Sequence, residues 1–249
     1  MTRRRFIADT WTGVPGNQAA STATLTGDQA FHLARVLRAE RGQIYDIVAN
    51  GFLHRAEITS VSPEQVTFAL HEELEAYTAL PVHLLLAIFK FDHMEWAIEK
   101  ATELGVSSIT PILARRTERH LTLAAPKRVE RWRRIVLEAS KQSRRTTIPE
   151  VADPTPLKAA LEVEHSPTQI LLSETEQNTT LTSALTLGHR PTGYEAVALS
   201  IGPEGGWTQE EIALFAQFHW TPITLGPRIL RAETAAIAAL AITAAHLSA

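Results

Sequence analysis

The sequence contains no cysteine. That excludes disulfides, zinc thiolate sites and thiol nucleophiles, and it suits a cytoplasmic protein. No apolar run reaches the roughly 18 residues of a membrane helix. The opening MTRRRFIADT carries three arginines but no apolar stretch behind them, so it does not read as a secretory signal. The ten histidines are scattered without metal-ligand spacing, and no metal is expected. Internal repeats and low-complexity tracts are absent. Net charge is only −3, which argues against a protein that coats nucleic acid indiscriminately.

What is there is a globular composition, 45% hydrophobic against 20% charged. At 249 residues the chain suffices for one large domain or two modest ones, each with a core. The small net charge hides a strong polarity. Residues 115–145 hold eleven Lys or Arg against three acids, a local balance of +8 that leaves −11 elsewhere. Such a distribution suits a selective RNA binder.

In chain order, residues 22–27, 42–50, 52–61 and 66–73 read as short strands, with turns at Asn50-Gly51 and Ser62-Pro63. One helix, QAFHLARVLRAE, interrupts them; Phe31, Ala34, Val36 and Leu37 are placed to pack, with His32, Arg35 and Arg38 pointing elsewhere. A small β-barrel with a helix is the simplest solution for residues 1–72. Residues 73–81 read as a linker ended by Pro81.

A different pattern then begins. VHLLLAIFK is a continuous apolar run, typical of a buried parallel strand. HMEWAIEKATELGV has helical spacing and a Gly105 stop, and SSITPIL is the next strand. KRVERWRRIVLEAS is an amphipathic helix with Val129, Trp132, Ile135, Val136 and Ala139 as its apolar stripe and Glu130–Arg134 as an i,i+4 pair. A helix starts near Pro156, and TQILLSETE is a strand ending in polar residues.

The chemistry concentrates in Ser200 to Thr234, SIGPEGGWTQEEIALFAQFHWTPITLGPRILRAET. A buried strand breaks at Gly202-Pro203-Glu204-Gly205-Gly206, and Thr208 with Glu211 forms a capping box for the next helix. A second loop, Leu225 to Arg231, leads into an alanine-rich helix from Ala232 to His246. Glycine loops facing helix starts let backbone N–H groups meet a ligand. No Lys-Ser/Thr follows the glycines, so the phosphate loop of nucleotide triphosphatases does not fit. On spacing alone, a plain strand–turn–helix fits equally well.

IGPEGGWTQEE followed by LGPRILRAETAA closely resembles the end of the RsmE family, the ribosomal RNA small-subunit methyltransferase E enzymes of the SPOUT class. HLARVLRAERGQ and KATELGV are similar to further family elements. The resemblance implies S-adenosylmethionine-dependent methylation of N3 of a uridine in the decoding region of 16S ribosomal RNA. It implies an α/β fold: a PUA-like RNA-binding barrel over 1–72, then a SPOUT domain with a trefoil knot over 82–249, assembled as a homodimer. Cofactor contacts carried over are Leu172, Ser173, Ile201, Gly202, Pro203, Glu204, Gly205, Gly206, Leu225, Gly226, Ile229 and Leu230. Arg231 and Glu204 are the catalytic candidates, with Glu233 a rival proton acceptor. RNA contacts are expected from Arg3, Arg4, His32, Arg35, Arg38, Arg116, Arg119, Gln142 and Arg145. The family often has glycine where this chain has Arg144, and a small or charged residue where it has Phe91. Charge pattern alone also suits solvated helix faces. A SPOUT enzyme acting on a ribose 2′-oxygen or another base would share the loops but not the HLARVLR element. A non-catalytic RNA-binding protein would not need both loops and Arg231, and a metabolic α/β enzyme has no use for the basic window.

Overall fold

The computed structural model describes residues 5–14, 17–76, 79–187 and 195–247. The chain divides into two compact units, Met1–Thr78 with Lys141–Thr147, and Ala79–Ser140 with Ile148–Ala249.

The first unit holds β1 (Arg5–Ile7), β2 (Thr10–Val14), β3 (Asn17–Thr26), α1 (Gly27–Phe31), β4 (Ile44–Ala49), β5 (Phe52–Val61) and β6 (Gln65–Leu74). They form one mixed sheet in the order β1-β4-β5-β6-β3-β2. Its curl has a simple cause. Residues 5–7 pair with β4 and residues 10–14 with β3, so one short segment joins both ends of the sheet. Between them, Ala8 N donates to Val48 O and Asp9 N to Thr24 O. Ala23, Leu25, Leu33, Ile47, Ile58 and Phe68 fill the interior.

The helix expected here departs from its α period after one turn. His32–Val36 is a π-helical turn, which shifts the phase of every side chain beyond it. Within it Leu33 is buried, whereas Val36, expected to pack, is 60% exposed; Phe31, also expected to pack, ends the α turn ahead of it and is 54% exposed. β1 and β2 were not foreseen, because RFIADTWTGV lacks both clean alternation and a turn signal.

The second unit holds β7 (Val82–Ala87), α2 (Phe91–Glu103), β8 (Ser108–Leu113), α3 (Arg119–Ala124), α4 (Val129–Gln142) as far as Ser140, β9 (Glu150–Val151), β10 (Thr155–Pro156), α5 (Leu157–Val163), β11 (Thr168–Leu172), α6 (Leu181–Leu187), β12 (Val197–Ile201), α7 (Gln209–Gln217), β13 (Thr221–Ile223) and α8 (Ala232–Leu247). The strands pair in the order β10-β8-β7-β12-β11-β13, with β9 on β8, and every pairing is parallel. The apolar runs read from the sequence fall at its centre: all of β12 is buried, as is all of β7 but His83. α4 buries Val129, Trp132, Val136 and Ala139 as expected. Its Glu130 pairs with Arg133 at 2.7 Å rather than with Arg134, because Arg133 also reaches Asp153 and Val151 O on the neighbouring segment. Phe91 packs on Trp132, and Arg128 lies over its ring at 4.8 Å. Among the described residues no helix is long and apolar enough to cross a membrane.

One polar clamp ties β7 to the segment entering β11. Glu164 accepts from His83 Nδ1 at 3.1 Å, Ser166 Oγ at 2.6 Å and Ser166 N at 2.8 Å. Burial pushes the Glu164 carboxyl up, but the bonds from His83 and Ser166 outweigh it and hold it down to about 2. The bond to Glu164 raises the His83 imidazole above its usual 6.5, against burial. The Glu164 contribution is present above the ordinary value of 4.5 and is lost as pH falls toward 2. The His83 contribution is present below 6.5 and is lost as pH rises through its raised value. His83→Ala is therefore expected to destabilise most between pH 5 and 6, by about 1 kcal/mol for a partly exposed pair. The gap from wild type narrows toward pH 9 in urea unfolding; a pH-independent gap would show that the clamp is not ionic.

Candidate active site

Because the sheet is parallel, the carboxyl ends of its strands share one edge, where open α/β sheets bind ligands. Lys90 follows β7, Arg115 and Arg116 follow β8, Ser173 and Glu174 follow β11, Gly202 to Trp207 follow β12, and Thr224 to Arg231 follow β13. The sequence spreads these residues over more than half the chain; the topology puts them in one row.

The loop after β12 is held from beneath. The capping box is present: Glu211 N donates to Thr208 Oγ1 at 3.2 Å, and Thr208 N donates to Glu211 Oε2 at 2.9 Å. The other oxygen of this buried carboxyl accepts from Arg115 N at 2.8 Å, tying the end of β8 to the start of α7. Trp207 packs edge-on against Phe215, and Phe215 against Trp220. A Cβ at position 202 would lie 3.1 Å from Trp207 Nε1, so any larger residue there requires this packed ring to give way. Gly206 has φ +68° and Gly226 φ +111°, conformations that side chains other than glycine rarely adopt.

The three loops after β11, β12 and β13 adjoin. Ser173 N donates to Ile223 O at 3.0 Å, and Thr224 N to Thr179 O at 2.8 Å. A Cβ on Gly206 would lie 3.6 Å from Glu174 Oε2. Of the expected cofactor residues, Ser173, Ile201 and Pro203 are buried; Leu172, Gly202, Gly206, Leu225, Gly226 and Leu230 are half-buried; Glu204 and Gly205 are exposed. Ile229 is 85% exposed, an apolar side chain with nothing over it. Arg231 is exposed at the start of α8. Arg116 reaches back to donate to Gly205 O at 2.7 Å, so it braces the glycine loop as well as extending the basic surface.

A second set of side chains meets here. Lys90 Nζ lies 3.9 Å from Glu204 Oε1; His93 Nδ1 lies 4.0 Å from the same oxygen and 3.5 Å from Glu233 Oε1. His93 and Glu174 were not foreseen as site residues. His93 sits in the first turn of α2, six residues past the end of β7, a position that only the packing of α2 on α8 makes meaningful.

The expected RNA contacts are dispersed. Arg3 and Arg4 lie outside the described residues. His32, Arg35 and Arg38 are exposed on and just after the π-helical turn, and Arg119 and Gln142 are exposed on α3 and α4. Arg145 is half-buried, and burial lowers its guanidinium to about 10, which leaves it charged at neutral pH. A cavity of about 650 Å³ lies at the opposite, amino edge of the sheet, lined by Glu164, His165, Gln169, Gln217 and His219, away from both motif loops.

An RNA methyltransferase domain family matches residues 76–244. The ribosomal RNA small subunit methyltransferase E of Synechocystis is 37% identical over 89% of this chain and 72% of its own length. That of Bacillus subtilis is 32% identical over 90% of each. The chain belongs to the ribosomal RNA small subunit methyltransferase E family. A family member from Neisseria gonorrhoeae, solved bound to S-adenosyl methionine, matches with a TM-score of 0.78 at 29% identity over 97% of each chain. A Legionella pneumophila methyltransferase solved with bound SAM matches at 0.78 and 30% identity over 98% of each.

Family membership makes Arg144 informative. Its φ is +59°, the left-handed region where glycine is unstrained, and its carbonyl accepts from Arg5. The backbone thus keeps the shape a glycine would give. Arg144→Gly is expected to be about 1 kcal/mol more stable than Arg144→Ala, both lacking the guanidinium. Equal urea midpoints would show that the residue carries no strain.

Proposed function

We propose that this protein transfers a methyl group from S-adenosylmethionine to N3 of a uridine in the decoding region of 16S ribosomal RNA. The observation that carries the reading is the meeting of both motif loops on one edge of the parallel sheet. The residues there fit the cofactor. Exposed Ile229 and half-buried Leu172, Leu225 and Leu230, at the end of β11 and on the loop after β13, would supply apolar contact for an adenine ring. Around Gly226 a Cβ would meet nothing within 4 Å, so ligand can approach the main chain. Leu172, Ser173, Ile201, Gly202, Pro203, Gly205, Gly206, Leu225, Gly226, Ile229 and Leu230 would hold it, largely through backbone groups.

The cofactor supplies an electrophilic methyl on a sulfonium; the protein supplies position and electrostatics. Uridine N3 is a poor nucleophile until its proton leaves. Arg231, exposed beside the second loop, would stabilise the charge that spreads onto O2 and O4. Glu204, partly exposed and near Lys90, would accept the proton or hold a ligand hydroxyl.

The curled sheet of β1 to β6, with His32, Arg35 and Arg38 exposed beside it, supports a PUA-like RNA-binding domain over 1–72; 73–81 would be the linker and 82–249 a knotted SPOUT domain. The small side chains of α8 suit close packing in a homodimer. The setting we assign is the cytoplasm, with 16S RNA within the small ribosomal subunit as substrate.

The decisive experiment is nucleoside mass spectrometry of 16S RNA from a strain lacking this gene, treated with protein and cofactor. N3-methyluridine is expected; a 2′-O-methyl or other base product would overturn the position. Arg231→Ala should cut turnover by roughly 10²–10³-fold, as for other aimed donors, with cofactor affinity changed only a few-fold in calorimetry. Near wild-type turnover would remove Arg231 from catalysis.

A further inference from the structure

The polar groups between the first turns of α2 and α8 are brought together but not joined. Glu233 lies in the first turn of α8, with its side chain 5% exposed, and its Oε2 has no hydrogen-bond partner among the described residues. His93 Nδ1 is likewise buried and without one. Its distances of 3.5 Å to Glu233 Oε1 and 4.0 Å to Glu204 Oε1 are too long for a well-made bond, as is the 3.9 Å from Lys90 to Glu204. Asp92 Oδ2, on the exposed side, is 3.8 Å from His93 Nε2. Buried polar atoms in native proteins are nearly always satisfied, so a cluster of near misses marks a place that a guest completes.

The chemistry of the gap selects the guest. Carboxylate oxygens only accept, so the guest must donate. Two carboxylates face one lysine, an excess of acceptors that favours a donor over an anionic group such as phosphate. We infer that Lys90, His93, Glu204 and Glu233 form a niche that accepts an N–H donor of a bound ligand. Resting on the function proposed above, the two sources are the α-ammonium of the methyl donor and the imide N–H of the target uracil. The niche shares Glu204 with the glycine loop after β12, joins it to Glu233, and adds His93 to the site.

The test uses the whole protein with Glu233→Gln, which keeps the shape, and His93→Gln as a second variant. Calorimetry is run with S-adenosylmethionine and with 5′-methylthioadenosine, which lacks the amino-acid end, alongside turnover on 16S RNA. If the ammonium is the guest, Glu233→Gln binds S-adenosylmethionine at least tenfold more weakly and methylthioadenosine unchanged. If the imide is the guest, both affinities hold and kcat falls at least tenfold. Wild-type affinities and turnover, with only the melting temperature moved, overturn the niche. Equal loss of both nucleosides also overturns it, since that reports collapse of the loop. Wild-type protein that binds no S-adenosylmethionine would instead defeat the proposed function itself.

Discussion

The constraint from which the rest follows is that β12 is buried on both faces. All five of its residues are inside, and it is flanked on both sides by parallel neighbours, β7 and β11. A strand so enclosed must be apolar throughout, and parallel partners require each connection to return across the sheet before the next strand begins. One consequence is chemical. Every strand of this sheet delivers its carboxyl end to the same edge, so Lys90, Arg116, Glu174, Glu204 and Arg231 share one row although the chain separates them widely. Fully burying a Val, Leu or Ile side chain contributes about 1.5–3 kcal/mol, so the row rests on a stiff base.

Two glutamates on that row show how structure and function part. Glu211 and Glu233 are equally buried, at 5% and 3% exposure. Glu211 spends both oxygens on backbone donors from two different segments, Thr208 N and Arg115 N. It is a structural carboxylate, and charge-assisted bonds of this kind fix the loop between β12 and α7. Glu233 has one oxygen idle and the other at a long distance from His93. The same residue type at the same depth is completed by the fold in one case and left for a guest in the other. Burial alone would not separate them; the hydrogen-bond account does.

What could be read from the sequence was whatever is local in cause. Thr208 and Glu211 are three residues apart, so their capping box needs no tertiary knowledge. The apolar runs of β7 and β12 announce burial on both faces. The glycine loops and their order carry the family. What escaped depends on partners far along the chain. Val36 turned outward because a π-helical turn broke the period. Glu130 chose Arg133 over Arg134 because Asp153, remote in sequence, recruits that guanidinium. His93 meets Glu233 only because α2 packs on α8, 140 positions later.

The basic window shows why a charge count is a poor map of an RNA-binding surface. Arg128 and Arg131 share Glu95, Arg133 holds Glu130 and Asp153, and Arg116 is bound to a loop carbonyl. Much of the local +8 is therefore engaged before any RNA arrives. Engagement of this kind is weak, however. Exposed ion pairs contribute about 0–1 kcal/mol each, and most of these guanidiniums are more than 40% exposed. A phosphate that displaces a surface carboxylate loses little and releases counterions in exchange. The pairs hold long side chains near set positions without binding them tightly, so a polyanion displacing the acid partner would order them at a smaller entropic cost. Under the function proposed above, the acids beside the window would pre-arrange the arginines for a polyanion rather than neutralise them.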